Sequence, residues 1–305
     1  MRSWLVFITL LPFSASAQEL EHTLLWRIST PGLEHHSYLY GTVHSKDDRA
    51  YQFGDSVLPA LDRCAITAGE LDLSTATAEM GLALLTTMRM SGDRKLEDLY
   101  KKRDWKRVEA AINAGMGFMA PMTMRMKPFF VMALLTENAM DGDQEQVLDE
   151  FLQQRAKASG KRVIGIETVK EQMAAVDAIS VEEQATMLLD HVDHSGYPGE
   201  MDAMLDAYAR QDLDQLMNAA EKTGTMPDSF ERSLLTERNA RMVERMDRLL
   251  REGEPIFFLI GAAHLPRPDG LIAGLREKGH TVEAVVSESR QWMPEPEQVP
   301  VEEER

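Results

Sequence analysis

The sequence predicts a mixed α/β fold, with a mainly parallel sheet assembled from N- and C-terminal segments and a long helical insertion between them. Three observations predict it. β-rich runs lie near both ends, at residues 23–42 and 255–264. A helix–turn–strand unit, VLDEFLQQRAKASGKRVIGIET, stands mid-chain and is the mark of an α/β arrangement. Most of the remaining middle has its apolar residues at helical spacing.

Taken in order, TLLWRIST and HSYLYGT are β-rich and are joined by PGLEHH, a Pro-Gly turn, so they predict a hairpin. DSVLPALDRC has helical spacing, and AITAGELDL follows as a strand that is apolar first and polar at its end. KLEDLYKKRDWKRVEAAINAG reads as an amphipathic helix stopped by Gly115. PMTMRMKPFFVMALLTENAM is helical with a break expected at Lys127–Pro128, because proline has no N–H and clashes with the preceding turn. Further helices run from Val169 to Arg251, with Gly253 as the last stop. PIFFLIGAAH is a buried strand, RPDGLIAGLREKG a helix and HTVEAVV a closing strand. The chain therefore divides into residues 1–17, a single α/β domain over 18–288 with its helical insertion at about 76–160 and 169–251, and an acidic, proline-rich tail at 289–305 expected to be disordered.

The first segment has Arg2, an apolar run to Phe13 and the small-residue pattern Ala15-Ser16-Ala17, the pattern of a secretory signal peptide. Its apolar run is too short to span a bilayer. The expectation is an exported, periplasmic or secreted protein without a membrane anchor after cleavage. A net charge of −17 argues against nucleic acid and against anionic membrane surfaces as partners. The one cysteine, Cys64, can make no internal bridge and reads as a packed thiol. The methionines of MGFMAPMTMRM follow helical spacing and read as core rather than as a copper site.

Two segments repeat a pattern. SYLYGTVH and FFLIGAAH each end a buried strand at glycine and place a histidine three residues later, at His44 and His264. Ligands in open α/β sheets bind beyond the carboxyl ends of strands, so neighbouring strands would bring both imidazoles to one edge. AITAGELDL sends Glu70 to a strand end, with Asp72 as its rival, and VIGIET does the same with Glu167. Two imidazoles with one or two carboxylates suit either a divalent metal or a metal-free general-base site. His191 and His194 in HVDH share a helical face but sit at a helix end, where histidine is favoured by the dipole. His35 and His36 belong to the hairpin turn and are expected to face solvent. No P-loop, G-x-G-x-x-G or G-x-S-x-G sequence occurs.

Six blocks in order, LLWRISTPGLEHHSYLYGTVHSKD, AGELDL, MKPFFVMALL, LDEFLQQRAKASGKRVIGIET, ERNARMVERM and FFLIGAAHLPRPDGLIAGLREKGHTVE, resemble the TraB/GumN family. That family is related to the Tiki proteins, membrane-tethered metal-dependent proteases, and more distantly to the erythromycin esterase and ChaN-like folds. The resemblance implies a mixed α/β fold and a site built from both G-x-x-H motifs and a glutamate, here His44, His264 and Glu70. Glu167 in GIET and Arg238 in ERN lie in further family blocks. Together these readings lead to an exported metal-dependent hydrolase acting on a peptide or protein substrate. His44, His264 and Glu70 would bind Mn, Co or Zn, with Glu70 alternatively the general base. Arg238 would stabilise an oxyanion or pair with a carboxylate. The alternatives are a metal-independent, esterase-like hydrolase using His44 and Glu70, and a non-enzymatic periplasmic binding or export-associated protein. Cleavage is expected after Ala17; intact mass of the protein expressed in a bacterium with a periplasm should begin at Gln18, and a mass retaining residues 1–17 would contradict it.

Overall fold

The computed structural model describes residues 20–73, 81, 87–139, 142, 144–194, 199–222, 227–287 and 290–291. The expected signal peptide and acidic tail lie outside these residues, apart from the short strand at Arg290–Gln291. The predicted hairpin forms: β1 (Leu25–Ser29) and β2 (His36–Thr42) pair antiparallel, with Leu25 opposite Tyr40. The short strand β3 (Phe53–Gly54) leads into helix α1 (Val57–Arg63), and β4 (Ile66–Gly69) returns to the sheet. The helical middle supplies α2 (Lys102–Met116), α3 (Pro128–Ala139) and α4 (Leu148–Ala158) before strand β5 (Arg162–Gly165). Then come α5 (Val169–Asp177), α6 (Val181–His194), α7 (Glu200–Ala209), α8 (Leu213–Lys222) and α9 (Glu237–Arg251). Strand β6 (Ile256–Gly261), helix α10 (Leu271–Glu277) and strand β7 (Thr281–Ala284) follow, and β8 (Arg290–Gln291) pairs with β3.

The sheet runs β5-β4-β6-β2-β1-β7. The four strands from β5 to β2 are mutually parallel, and β1 is antiparallel to both of its neighbours. The fold is thus mixed α/β with a mainly parallel sheet drawn from both ends of the chain, as the sequence predicts. Its central strand β6 reads IFFLIG, a continuous apolar run that suits a strand covered on both faces. Phe257, Phe258, Leu39 and Trp26 are fully enclosed, and burying side chains of this size contributes roughly 1.5–3 kcal/mol each.

A second core fills the helical middle, where Val108 and Ile112 of α2 meet Phe130 and Val131 of α3. Methionines follow the core reading in the main: Met90, Met126 and Met187 are buried there, and Met88, Met116, Met124 and Met132 pack against them. Met119 and Met122 are exposed instead, beside Phe118. One helix end differs from expectation. Helix α2 begins only at Lys102 and runs past Gly115 to Met116, stopping where Gly117 takes a φ of 51°. Gly115 serves packing, since a Cβ there would lie 2.7 Å from Leu135 Cδ2 of α3. Pro128 opens α3, where its missing N–H costs nothing, so the expected break is the start of a helix. Cys64 is buried, and burial pushes its thiol up to about 12, consistent with an inert packed group. Among the described residues no helix is long and apolar enough to cross a membrane.

The glycine ending β4 is dictated by crowding. A Cβ on Gly69 would fall 2.2 Å from Gln153 Nε2 and 2.7 Å from the Leu71 carbonyl oxygen. Gln153 is itself buried and tied to this turn, donating to the Leu71 carbonyl and accepting from the Leu73 N–H. Gly69→Ala should therefore cost about 1–3 kcal/mol in urea unfolding, the range for inserting an atom into a packed site; an unchanged midpoint would show that the turn relaxes freely.

Candidate active site

Because β5, β4, β6 and β2 are parallel, their carboxyl ends share one edge of the sheet. Across that edge the sequence places Glu167 after β5, Glu70 after β4, His264 after β6 and His44 after β2. Strands lie about 4.8 Å apart, so Glu70 and His264 leave adjacent strands while Glu70 and His44 leave strands roughly 10 Å apart. Helices α4 and α9 precede β5 and β6 and run back against them, which brings their first turns to the same edge. Those turns carry Asp149, and Arg238 with Asn239.

Arg238 sits at the centre of the ionic contacts. Its Nε and Nη2 donate to Glu167 Oε2 at 2.9 and 2.5 Å, and Nη2 also donates to Glu70 Oε2 at 2.5 Å. Nη1 donates to the Leu234 carbonyl, within the π-helical stretch Glu231–Thr236 that precedes α9. Gln172 of α5 donates to both carboxylates, at 3.1 Å to Glu70 and 3.3 Å to Glu167. The Glu167 side chain is completely enclosed and holds Arg238. Arg238 is placed as the partner of carboxylates rather than as a free cation facing a substrate.

Glu70 Oε1 accepts the Gly261 N–H at 2.9 Å and faces His264 Nε2 at 3.8 Å. Burial alone would raise the Glu70 carboxyl, but the charge His264 carries when protonated, the charge of Arg238 and the Gly261 N–H outweigh it and hold the group below its usual range. A carboxylate so held is a weak base and a good anionic ligand or orienting group. Burial pushes the His264 imidazole down, against the pull of Glu70, which favours its neutral form. Its Nδ1 contacts Asn239 Oδ1 at 2.6 Å. Asp72 does not take Glu70's place; the carboxylate facing His264 is Glu70.

The two G-x-x-H histidines are not equivalent. In the β2–β6 pairing Gly41 lies opposite Ile260 and Thr42 opposite Gly261, one residue out of step with the motif alignment. After β6 the chain turns at once into a short helix, Ala262–His264, which tucks His264 inside. After β2 it stays irregular, and the His44 side chain is 65% exposed. His44 Nδ1 lies 3.9 Å from Asp149 Oδ2, while Asp149 Oδ1 accepts from Thr42 Oγ1 at 2.6 Å. Burial raises the Asp149 carboxyl, Glu70's charge adds to the rise, and Thr42 and His44 oppose it.

Asp149, Asn239 and Gln172 escape sequence reasoning. The only available signal was position: Asp149 opens the helix before β5, and Asn239 directly follows Arg238. His194 Nδ1 bonds the Asp190 carbonyl at 2.7 Å, and burial depresses the His191 imidazole. His36 is exposed and bonds Ser29 Oγ, while His35 is half-buried.

The donor chemistry fits a divalent ion, since imidazole and carboxylate are its usual ligands. His264 Nε2 and Glu70 Oε1 are too far apart for a hydrogen bond, yet within the span of two ligands each about 2.0–2.2 Å from one ion. Among the described residues, however, no three His, Cys, Asp or Glu side chains converge as a ready group. His44, after β2, and Asp149, in the first turn of α4, form a second pair.

The sequence model of the TraB/PrgY/gumN family matches residues 24–284. Among curated proteins, the chain is 23% identical over 322 residues to Metalloprotease TIKI2 of Danio rerio, covering 88% of this chain and 62% of that protein. It is 25% identical over 324 residues to Metalloprotease TIKI1 of Danio rerio, covering 86% and 63% respectively. The chain thus spans less than two thirds of the length of these relatives. No solved structure matches.

Removing Arg238 should strand an enclosed carboxylate. Arg238→Met is expected to lower stability by about 3–5 kcal/mol in urea unfolding, with part regained in Arg238→Met/Glu167→Gln; a loss below about 1 kcal/mol would mean that Arg241, 3.8 Å from Glu167 Oε1, suffices as partner.

Proposed function

The chain belongs to the TraB/PrgY/gumN family, and on that premise we propose that it is an exported, metal-dependent hydrolase acting on peptide bonds. The observation that carries this reading is the facing of His264 Nε2 and Glu70 Oε1 across 3.8 Å at the carboxyl edge of a parallel sheet. The metalloprotease relatives support the reaction class, and the N-terminal segment supports export.

In this proposal His264 and Glu70 hold the ion from adjacent strands. His44, whose exposed side chain lies beside Asp149, would be the third ligand. The ion is Mn, Co or Zn, and when bound it supplies Lewis acidity that acidifies water and polarises an amide carbonyl. The protein's own groups do the positioning. Arg238 keeps Glu70 anionic and fixed in direction, and Glu167 keeps Arg238 in place. The Gly261 N–H donates to Glu70 Oε1, the same oxygen that faces His264 Nε2. Asp149 lies beside His44, its Oδ2 3.9 Å from Nδ1, and burial raises its carboxyl.

The test uses purified protein with bound-metal analysis and an amide and an ester substrate panel. Chelation should remove amide hydrolysis and added Mn²⁺, Co²⁺ or Zn²⁺ restore it. Glu70→Gln and His264→Ala should each lower metal affinity by at least about 10- to 100-fold. Activity that survives chelation but is lost in His44→Ala and Glu70→Gln would sink the metal and leave the histidine–glutamate hydrolase. Absence of hydrolysis with every substrate class, despite intact folding, would favour a binding protein.

A further inference from the structure

Asn239 is enclosed in the first turn of α9, and both ends of its amide are engaged. Its Nδ2 donates to the Asp269 carbonyl at 3.0 Å, and its Oδ1 meets His264 Nδ1 at 2.6 Å. A carbonyl oxygen only accepts, so the Asp269 contact fixes which end of the amide faces which way. The Asp269 residue is itself held, because Thr236 Oγ1 donates to its carboxylate at 2.7 Å. With Oδ1 turned toward His264, the imidazole nitrogen opposite it must donate, and a neutral imidazole carries one N–H only. The lone pair is therefore left on Nε2, which faces Glu70 Oε1.

We infer that Asn239 is a positioning residue that locks His264 in the Nδ1–H tautomer, so that Nε2 presents a bare lone pair toward Glu70. The proposal deepens the metal reading and rests on it for its purpose, though not for its geometry. Two acceptors, Nε2 and a carboxylate oxygen, then face one another across 3.8 Å with no proton of their own between them. Such a gap attracts a cation or a water that donates both ways. The opposite tautomer would point an N–H at Glu70 and block a ligand at Nε2. Arg238 and Asn239 thereby divide the work on consecutive residues of α9: one directs the carboxylate and the other the imidazole.

The experiment takes the full mature chain, labelled with ¹⁵N-histidine and freed of metal, and records a long-range ¹H–¹⁵N correlation spectrum near neutral pH. His264 is assigned by its absence in His264→Gln. The expected pattern is a protonated Nδ1 and an unprotonated Nε2. Zn²⁺ affinity is measured in parallel by competition with a chromophoric chelator. Asn239→Leu should lose the tautomer preference and weaken Zn²⁺ binding about 10- to 100-fold. Asn239→Asp keeps an acceptor for Nδ1–H while losing the donor to Asp269, so it should retain both the tautomer and most of the affinity. A wild-type His264 protonated at Nε2 overturns the proposal, whether or not either variant folds. Equal losses of affinity in both variants also overturn it, because Asn239 would then act only through its bond to Asp269. A wild type with the expected tautomer but no Zn²⁺ binding upholds the role of Asn239 and sinks the metal reading instead.

Discussion

Arg238 donates to Glu167 on one side and to Glu70 on the other, and the carboxyl edge of the sheet is organised around that shared guanidinium. The planar fork matters here, because a point charge could not address two carboxylates from different strands with defined direction. Glu167 and Glu70 follow β5 and β4, so the same contact ties these neighbouring strands to α9. Two anions brought this close would repel; the cation between them joins His264 and the Gly261 N–H in holding the Glu70 carboxyl below its usual range. Everything proposed for Glu70 follows from this arrangement. It is fixed, anionic and weakly basic, which suits holding a cation or orienting a neighbour better than abstracting a proton.

The rest of the edge is assembled by direction of travel. Strands β5 to β2 are parallel, so each delivers its following residue to one side. The helices preceding β5 and β6 must travel back, which sets their first turns on that side as well. Asp149, Arg238 and Asn239 arrive by this route. An enclosed histidine with a fixed partner and a solvent-exposed histidine with a carboxylate then stand on adjacent strands, one preorganised and one able to turn. That asymmetry suits a site that must keep part of itself rigid and leave part open to a ligand.

Much of this was legible in the sequence. The hairpin, the helix–turn–strand unit at 147–168 and the apolar run IFFLIG have periodicity and turn residues that leave few alternatives, so the mixed sheet drawn from both chain ends could be read directly. The positions of Glu70, Glu167 and His264 beyond strand ends could be read for the same reason. Helix ends were less legible, since Gly115 and Gly117 look alike in sequence and only packing against Leu135 separates a spacer from a stop. The apparent equivalence of His44 and His264 was the most misleading feature. Similar motifs fix neither the register between strands nor the path after them: the chain closes into a short helix after β6 and stays irregular after β2.

The sequence by itself determined which residue types reach the carboxyl ends of strands, because alternation, glycine and apolar runs are local properties that act over a few residues. Only the tertiary structure decided which of them meet. Arg238 is 168 positions from Glu70 and 71 from Glu167, and Asn239 is 25 from His264. Contacts at those separations depend on strand order and on the register of parallel pairing, which the packing of the whole sheet sets and no local segment encodes.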